Sequence, residues 1–129
     1  MTSEYTVQTQ ICNTLRALGV TFFKVANEQK FRQKNPAAYF AKLKREGYCP
    51  GVADLVVLLN GGRTVFFEVK KPKEYTMGKK GNPVCVSPAG KQSPAQAAWA
   101  ARVKAMGFDY YIVYSAQQAA DIINGIRGE

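Results

Sequence analysis

The chain has 129 residues, 47% of them hydrophobic and 21% charged, which is enough apolar material for one buried core in one ordinary domain spanning 1–129. Histidine is absent, which excludes a His general base, a Ser-His-Asp triad and any His-ligated metal. Cys12, Cys49 and Cys85 lie far apart without a C-x-x-C pair, no run approaches the ~20 apolar residues of a membrane span, and MTSEYTVQTQ lacks a secretory pattern, so a cytoplasmic chain without a membrane partner is expected.

The first element is a helix over about 4–18, with Ser3 as N-cap, Gly19 as stop and a buried stripe of Val7, Ile11, Leu15 and Leu18. Glu4 extends that stripe at the first turn. Macrodipole compensation and a role in a site remain alternatives for it. Residues 20–25 read as a strand, followed by a polar basic stretch and a short helix from Pro36 to about Glu46, capped by Asn35. Between 24 and 45 the cations Lys24, Lys30, Arg32, Lys34, Lys42, Lys44 and Arg45 face only Glu28. Together with a net charge of +9, this predicts a phosphate-facing surface, because cations set against phosphates release condensed counterions.

ADLVVLL (53–59) and TVFFEVK (64–70) flank NGGR, a strong hairpin signal. A three-residue loop of Asn60, Gly61 and Gly62 sets Leu59 against Arg63 and Asp54 against Glu68, with Lys70 on the same face. Residues 71–92 are rich in Pro, Gly, Lys and Ser and read as a long, basic, flexible loop, in which Lys71, Lys73, Lys79, Lys80 and Lys91 are candidates to grip DNA. Ser93 then caps a helix to about Met106, with Trp99, Val103 and Met106 as its apolar side. A strand at 109–114 and a helix from Ser115 to near Gly125 complete the chain. A hairpin followed by a helical crossover makes this an α/β domain with a mixed sheet.

Two carboxylates set so close raise each other's pKa unless positive charge lies between them. Asp54 and Glu68 therefore predict either a hard divalent cation with oxygen ligands or an ion-pair ladder neutralised by Lys70. In the first case a bound water would attack phosphorus, with Lys70 orienting it or offsetting charge.

G-x-x-D-L (Gly51, Asp54, Leu55) followed by E-V-K (Glu68, Val69, Lys70) resembles the PD-(D/E)-x-K nuclease superfamily, and more narrowly the virus-type replication-repair nuclease (VRR-NUC) domain family. The opening Glu4, Tyr5, Val7, Gln8, the pair Asn27–Glu28, the helix start Ser93, Pro94, Ala95, Gln96 and Trp99 are similar too. Ala53 stands where that family usually has proline. The resemblance implies a restriction-endonuclease-like core and phosphodiester hydrolysis dependent on Mg²⁺ or Mn²⁺. It makes Glu4, Asp54, Glu68 and the Val69 carbonyl metal ligands, Lys70 the catalytic lysine and Gln96 an accessory that positions water or phosphate. Asn27 joins Lys24, Lys30, Arg32, Lys34, Lys71, Lys73, Lys79 and Lys80 as a DNA contact. The activity expected is that of a structure-selective endonuclease of the Holliday-junction resolvase kind, acting on branched DNA as a homodimer in bacterial or phage-infected cells. A flap- or fork-directed nuclease and a non-catalytic nucleic-acid-binding module are the alternatives.

Overall fold

Asn60, Gly61 and Gly62 reverse the chain at the centre of the fold. Gly61 and Gly62 take φ of 79° and 75°, left-handed values open to glycine without steric cost, and the three residues form one 3-10 turn. The computed structural model describes residues 2–26 and 35–128. In chain order these contain α1 (Glu4–Ala17), β1 (Thr21–Lys24), α2 (Pro36–Arg45), β2 (Leu55–Leu59), β3 (Arg63–Val69), β4 (Glu74–Met77), β5 (Pro83–Ser87), α3 (Pro94–Ala105), β6 (Asp109–Val113) and α4 (Ala116–Arg127). β2 and β3 pair antiparallel with Leu59 opposite Arg63 and Leu55 opposite Phe67, the register that the three-residue loop predicts. β1 joins β2 antiparallel and β6 joins β3 parallel, so the sheet is mixed and runs β1-β2-β3-β6.

The helices begin where short polar side chains can satisfy open backbone donors. Ser3, Asn35, Ser93 and Ser115 each accept from a backbone N–H in the first turn of α1, α2, α3 and α4. Val7, Ile11 and Leu15 of α1, with Ala119 and Ile123 of α4, close over Leu55, Val57, Val65, Phe67 and Val113 to form the main core. The opposite face of the sheet carries a smaller cluster, where Ala100 and Val103 of α3 meet Tyr110, and Phe66 stands edge-on to Trp99 at 5.0 Å.

Three expectations need correction. The 71–92 stretch is not all loop, since β4 and β5 pair antiparallel as a separate two-stranded sheet. Met106 is 67% exposed, because it is the C-cap of α3, where the apolar face has already left the sheet. Helix α4 passes Gly125 and stops at Gly128, whose φ of 79° ends it. Among the described residues no helix is long and apolar enough to cross a membrane.

Candidate active site

The candidate site lies where β2 begins and β3 ends, beside the first turns of α1 and α3. Asp54 directly precedes β2. Its carbonyl accepts from the Val25 N–H at 2.9 Å, and its Oδ2 accepts from the Val69 N–H at 2.7 Å. That second bond ties the carboxylate to the end of β3. Glu68 is fully buried and Lys70 is 8% exposed, unusual positions for ionisable side chains without partners. Glu68 Oε1 accepts from the Tyr110 hydroxyl and from Gln92 Nε2, while its Oε2 is buried with no hydrogen-bond partner.

Lys70 Nζ donates to Gln96 Oε1 at 3.0 Å and lies 3.9 Å from Glu4 Oε1. Gln96 holds this lysine because it is itself fixed. It forms a capping box with Ser93, its Oε1 accepting from the Ser93 N–H at 2.8 Å. Gly51, with φ of 82°, lets the loop before Asp54 press on the backbone of Ala95 and Gln96, where any Cβ would collide with the Ala95 carbonyl.

The electrostatics follow from this crowding. Burial pushes the Asp54 carboxyl above the ordinary aspartate range, and the charges of Glu68 and Glu4 add to the shift. The Val69 N–H and Lys70 pull the other way. Burial, then the bond to Glu68, holds the Tyr110 hydroxyl well above the usual phenol range, so it remains a donor.

Glu4 stands half-exposed at the rim rather than on the inward stripe. Among the described residues no three acidic or thiol side chains lie close enough to share an ion, so Glu4, Asp54 and Glu68 do not converge as one ligand set. Two desolvated acids with a buried, unpartnered Oε2 nevertheless fit a hard cation, which takes carboxylate oxygens and keeps waters at its other positions. A cleft of about 270 Å³ opens from Asp54 between α1 and β1, with Glu4, Tyr5, Arg16 and Lys24 on its walls. A larger cleft of about 530 Å³ at the far end of the sheet, lined by Leu58, Arg63 and Arg127 among others, contains no carboxylate.

No family model matches this chain, and no curated protein matches it. A solved structure described as a "VRR_NUC domain" is similar over 96% of this chain and 97% of its own length, with a TM-score of 0.58 and 25% sequence identity. The fold is that of a VRR_NUC domain. It is a nuclease-type architecture, with the mixed sheet and flanking helices that the motifs imply.

Within this VRR_NUC fold the residues singled out from sequence divide into four groups. Asp54, Glu68, Val69, Lys70 and Gln96 come together, and Glu4 reaches them through Lys70. Lys24 lines the cleft beside Asp54. Lys71 donates to Ser87 Oγ at 3.0 Å at the root of the β4–β5 hairpin, Lys73 lies 5.4 Å from the Tyr75 ring centre, and Lys79 and Lys80 are exposed at the hairpin turn. Asn27, Lys30, Arg32 and Lys34 fall outside the described residues. Gln96 differs from expectation in what it touches, since its oxygen is committed to Lys70 and Ser93. Tyr110 and Gln92 went unrecognised as site residues. Alternation along β6 puts Tyr110 on one face, but only the parallel pairing of β3 with β6 brings it to Glu68, and no local pattern encodes that register.

Proposed function

We propose that this chain is a metal-dependent, structure-selective DNA endonuclease that resolves four-way junctions as a homodimer. The observation that carries the reading is the buried Glu68, with one oxygen unpartnered, gathered with Asp54 and Lys70 at the sheet end beside a cleft with cations on its walls. Asp54, Glu68 and the Val69 carbonyl would hold Mg²⁺ or Mn²⁺. When bound, such a cation supplies Lewis acidity at a phosphate oxygen and a more acidic water.

The chain's own groups do the rest. Lys70, steered by Gln96, donates a hydrogen bond to the attacking water or to a phosphate oxygen as negative charge accumulates there. Burial of the acids and lysine strengthens these interactions relative to water. Lys24 and Arg16 on the cleft wall, and the lysines of the β4–β5 hairpin, attract the sugar-phosphate backbone. A domain this small does not span a branched junction, and Phe23 and Leu58, 50% and 41% exposed on the outer half of the sheet, offer an apolar face for a second copy.

The test is cleavage of labelled linear duplex, flap and immobile four-way junction DNA with Mg²⁺, Mn²⁺ or EDTA, beside Asp54→Ala. Paired symmetric nicks in the junction alone, abolished by EDTA and in the variant, are the expected result. Cuts in the flap instead would move the activity to asymmetric intermediates. Binding without cutting in either metal would leave a nucleic-acid-binding module.

A further inference from the structure

Glu68 is held from one side only. The Tyr110 hydroxyl donates to its Oε1, Gln92 Nε2 reaches the same oxygen at 3.4 Å, and Gln92 Nε2 also donates to the Tyr110 oxygen at 3.0 Å. The three groups form a closed chain of hydrogen bonds, in which each polarises the next. The tyrosine ring is itself fixed, 6.0 Å from Trp99 and 5.4 Å from the Lys104 ammonium. Both bonds to Glu68 end on Oε1, and Oε2 has none although it is equally buried. An ionised carboxylate oxygen left bare in the interior is costly, and an electropositive partner would remove that cost.

The placement of Gln92 adds a second link. It directly precedes Ser93, the cap of α3, and Gln96 of that same first turn accepts from Lys70. One short segment therefore sets both the acid and the lysine.

We propose that Tyr110 and Gln92 are positioning residues which occupy Oε1 of Glu68 and reserve Oε2 for a divalent cation. This rests on the nuclease reading above. Groups in this relation to a ligand typically change metal affinity by about 10–100-fold when removed. Tyr110→Phe deletes the hydroxyl and keeps the ring against Trp99. Gln92→Ala removes the second donor from a residue outside every strand and helix.

The experiment is calorimetric titration of the full chain with Mn²⁺ alone, for wild type, Tyr110→Phe and Gln92→Ala, with thermal unfolding in EDTA to establish that each folds. Junction binding in EDTA is measured in parallel. The expected result is Mn²⁺ affinity about tenfold weaker in Tyr110→Phe, a smaller loss in Gln92→Ala, and unchanged DNA binding. The Mn²⁺ concentration needed for half-maximal cleavage should rise by the same factor, with the rate at saturating Mn²⁺ restored. Unchanged Mn²⁺ affinity in both folded variants overturns the proposal while leaving the nuclease reading intact. Should Tyr110→Phe not fold, Gln92→Ala decides alone. A wild type that takes up no Mn²⁺ overturns the nuclease reading, and this inference with it.

Discussion

The end of the four-stranded sheet and the β4–β5 hairpin are neighbours in sequence, separated by residues 70–73, and they are built on opposite terms. At the sheet end, Glu68 and Lys70 are buried, with Lys70 Nζ held by Gln96 and Glu68 Oε1 by Tyr110. On the hairpin, Tyr75, Met77, Val84 and Val86 are all about half-exposed or more, and lysines stand at its root and its turn. Two-stranded ribbons are marginal by themselves in water, and this one is tied at its base, where Lys71 donates to Ser87 and the Thr2 N–H donates to Glu74. The first region is held rigidly by its own contacts. The second leaves charge and apolar surface exposed. Removing groups from one should affect rate, and from the other affinity.

The largest effect expected is on rate. Lys70→Ala should slow junction cleavage by about 10³-fold and leave binding in EDTA unchanged, as gel-shift and single-turnover assays would report. Comparable losses of binding and cleavage would erase the contrast. Lys79→Ala with Lys80→Ala should do the reverse. The slope of log affinity against log salt should flatten by about 2 if both lysines meet phosphates, while the saturated single-turnover rate holds.

Glycine substitutions sharpen the same contrast in stability. Gly51→Ala should destabilise the fold by about 1–3 kcal/mol in denaturant unfolding, because its left-handed backbone lies hard against Ala95. Gly81→Ala, with φ of 76° in open space, should cost about 1 kcal/mol from backbone strain alone. A subtler outcome concerns Asp54, whose folded-state pKa is raised chiefly by burial. The folded chain then binds more protons than the unfolded one in that window, so stability falls as pH rises through it. In EDTA at neutral pH, Asp54→Asn should therefore raise the Tm while abolishing cleavage. That gain should fade as pH falls through the raised folded-state range and be gone below about 3.9, the unperturbed aspartate value.

Much of the fold was legible because its signals are local. Ser3, Asn35, Ser93 and Ser115 announce helix starts through their own side chains, and the length of the Asn60–Gly62 turn alone sets the register of β2 on β3, with Leu55 opposite Phe67. The β4–β5 hairpin escaped because its strands are short and enclose Gly, Lys and Asn, with Pro83 at the start of β5. Pro, Gly and Asn carry weak strand preference, and Pro is tolerated at a strand's first residue. Asp54, Glu68 and Lys70 are candidates from the hairpin pattern, and Gln96 only from the resemblance of its helix start. Tyr110 and Gln92 were not, since their contact with Glu68 depends on packing between segments far apart in the chain.

That separation has a temporal consequence. The β2–β3 hairpin can close early, since its contacts are local, but Glu68 meets Tyr110 across 42 positions and Lys70 meets Gln96 across 26. Non-local parallel pairing forms late relative to hairpins, because a long chain segment must be ordered before its contacts return any stability. A chain leaving the ribosome through β3 already carries Asp54, Glu68 and Lys70 yet lacks the groups that fix them. Their arrangement is completed only when β6 docks and the Val113 carbonyl receives the Lys70 N–H, so the half-made protein holds these side chains without their geometry.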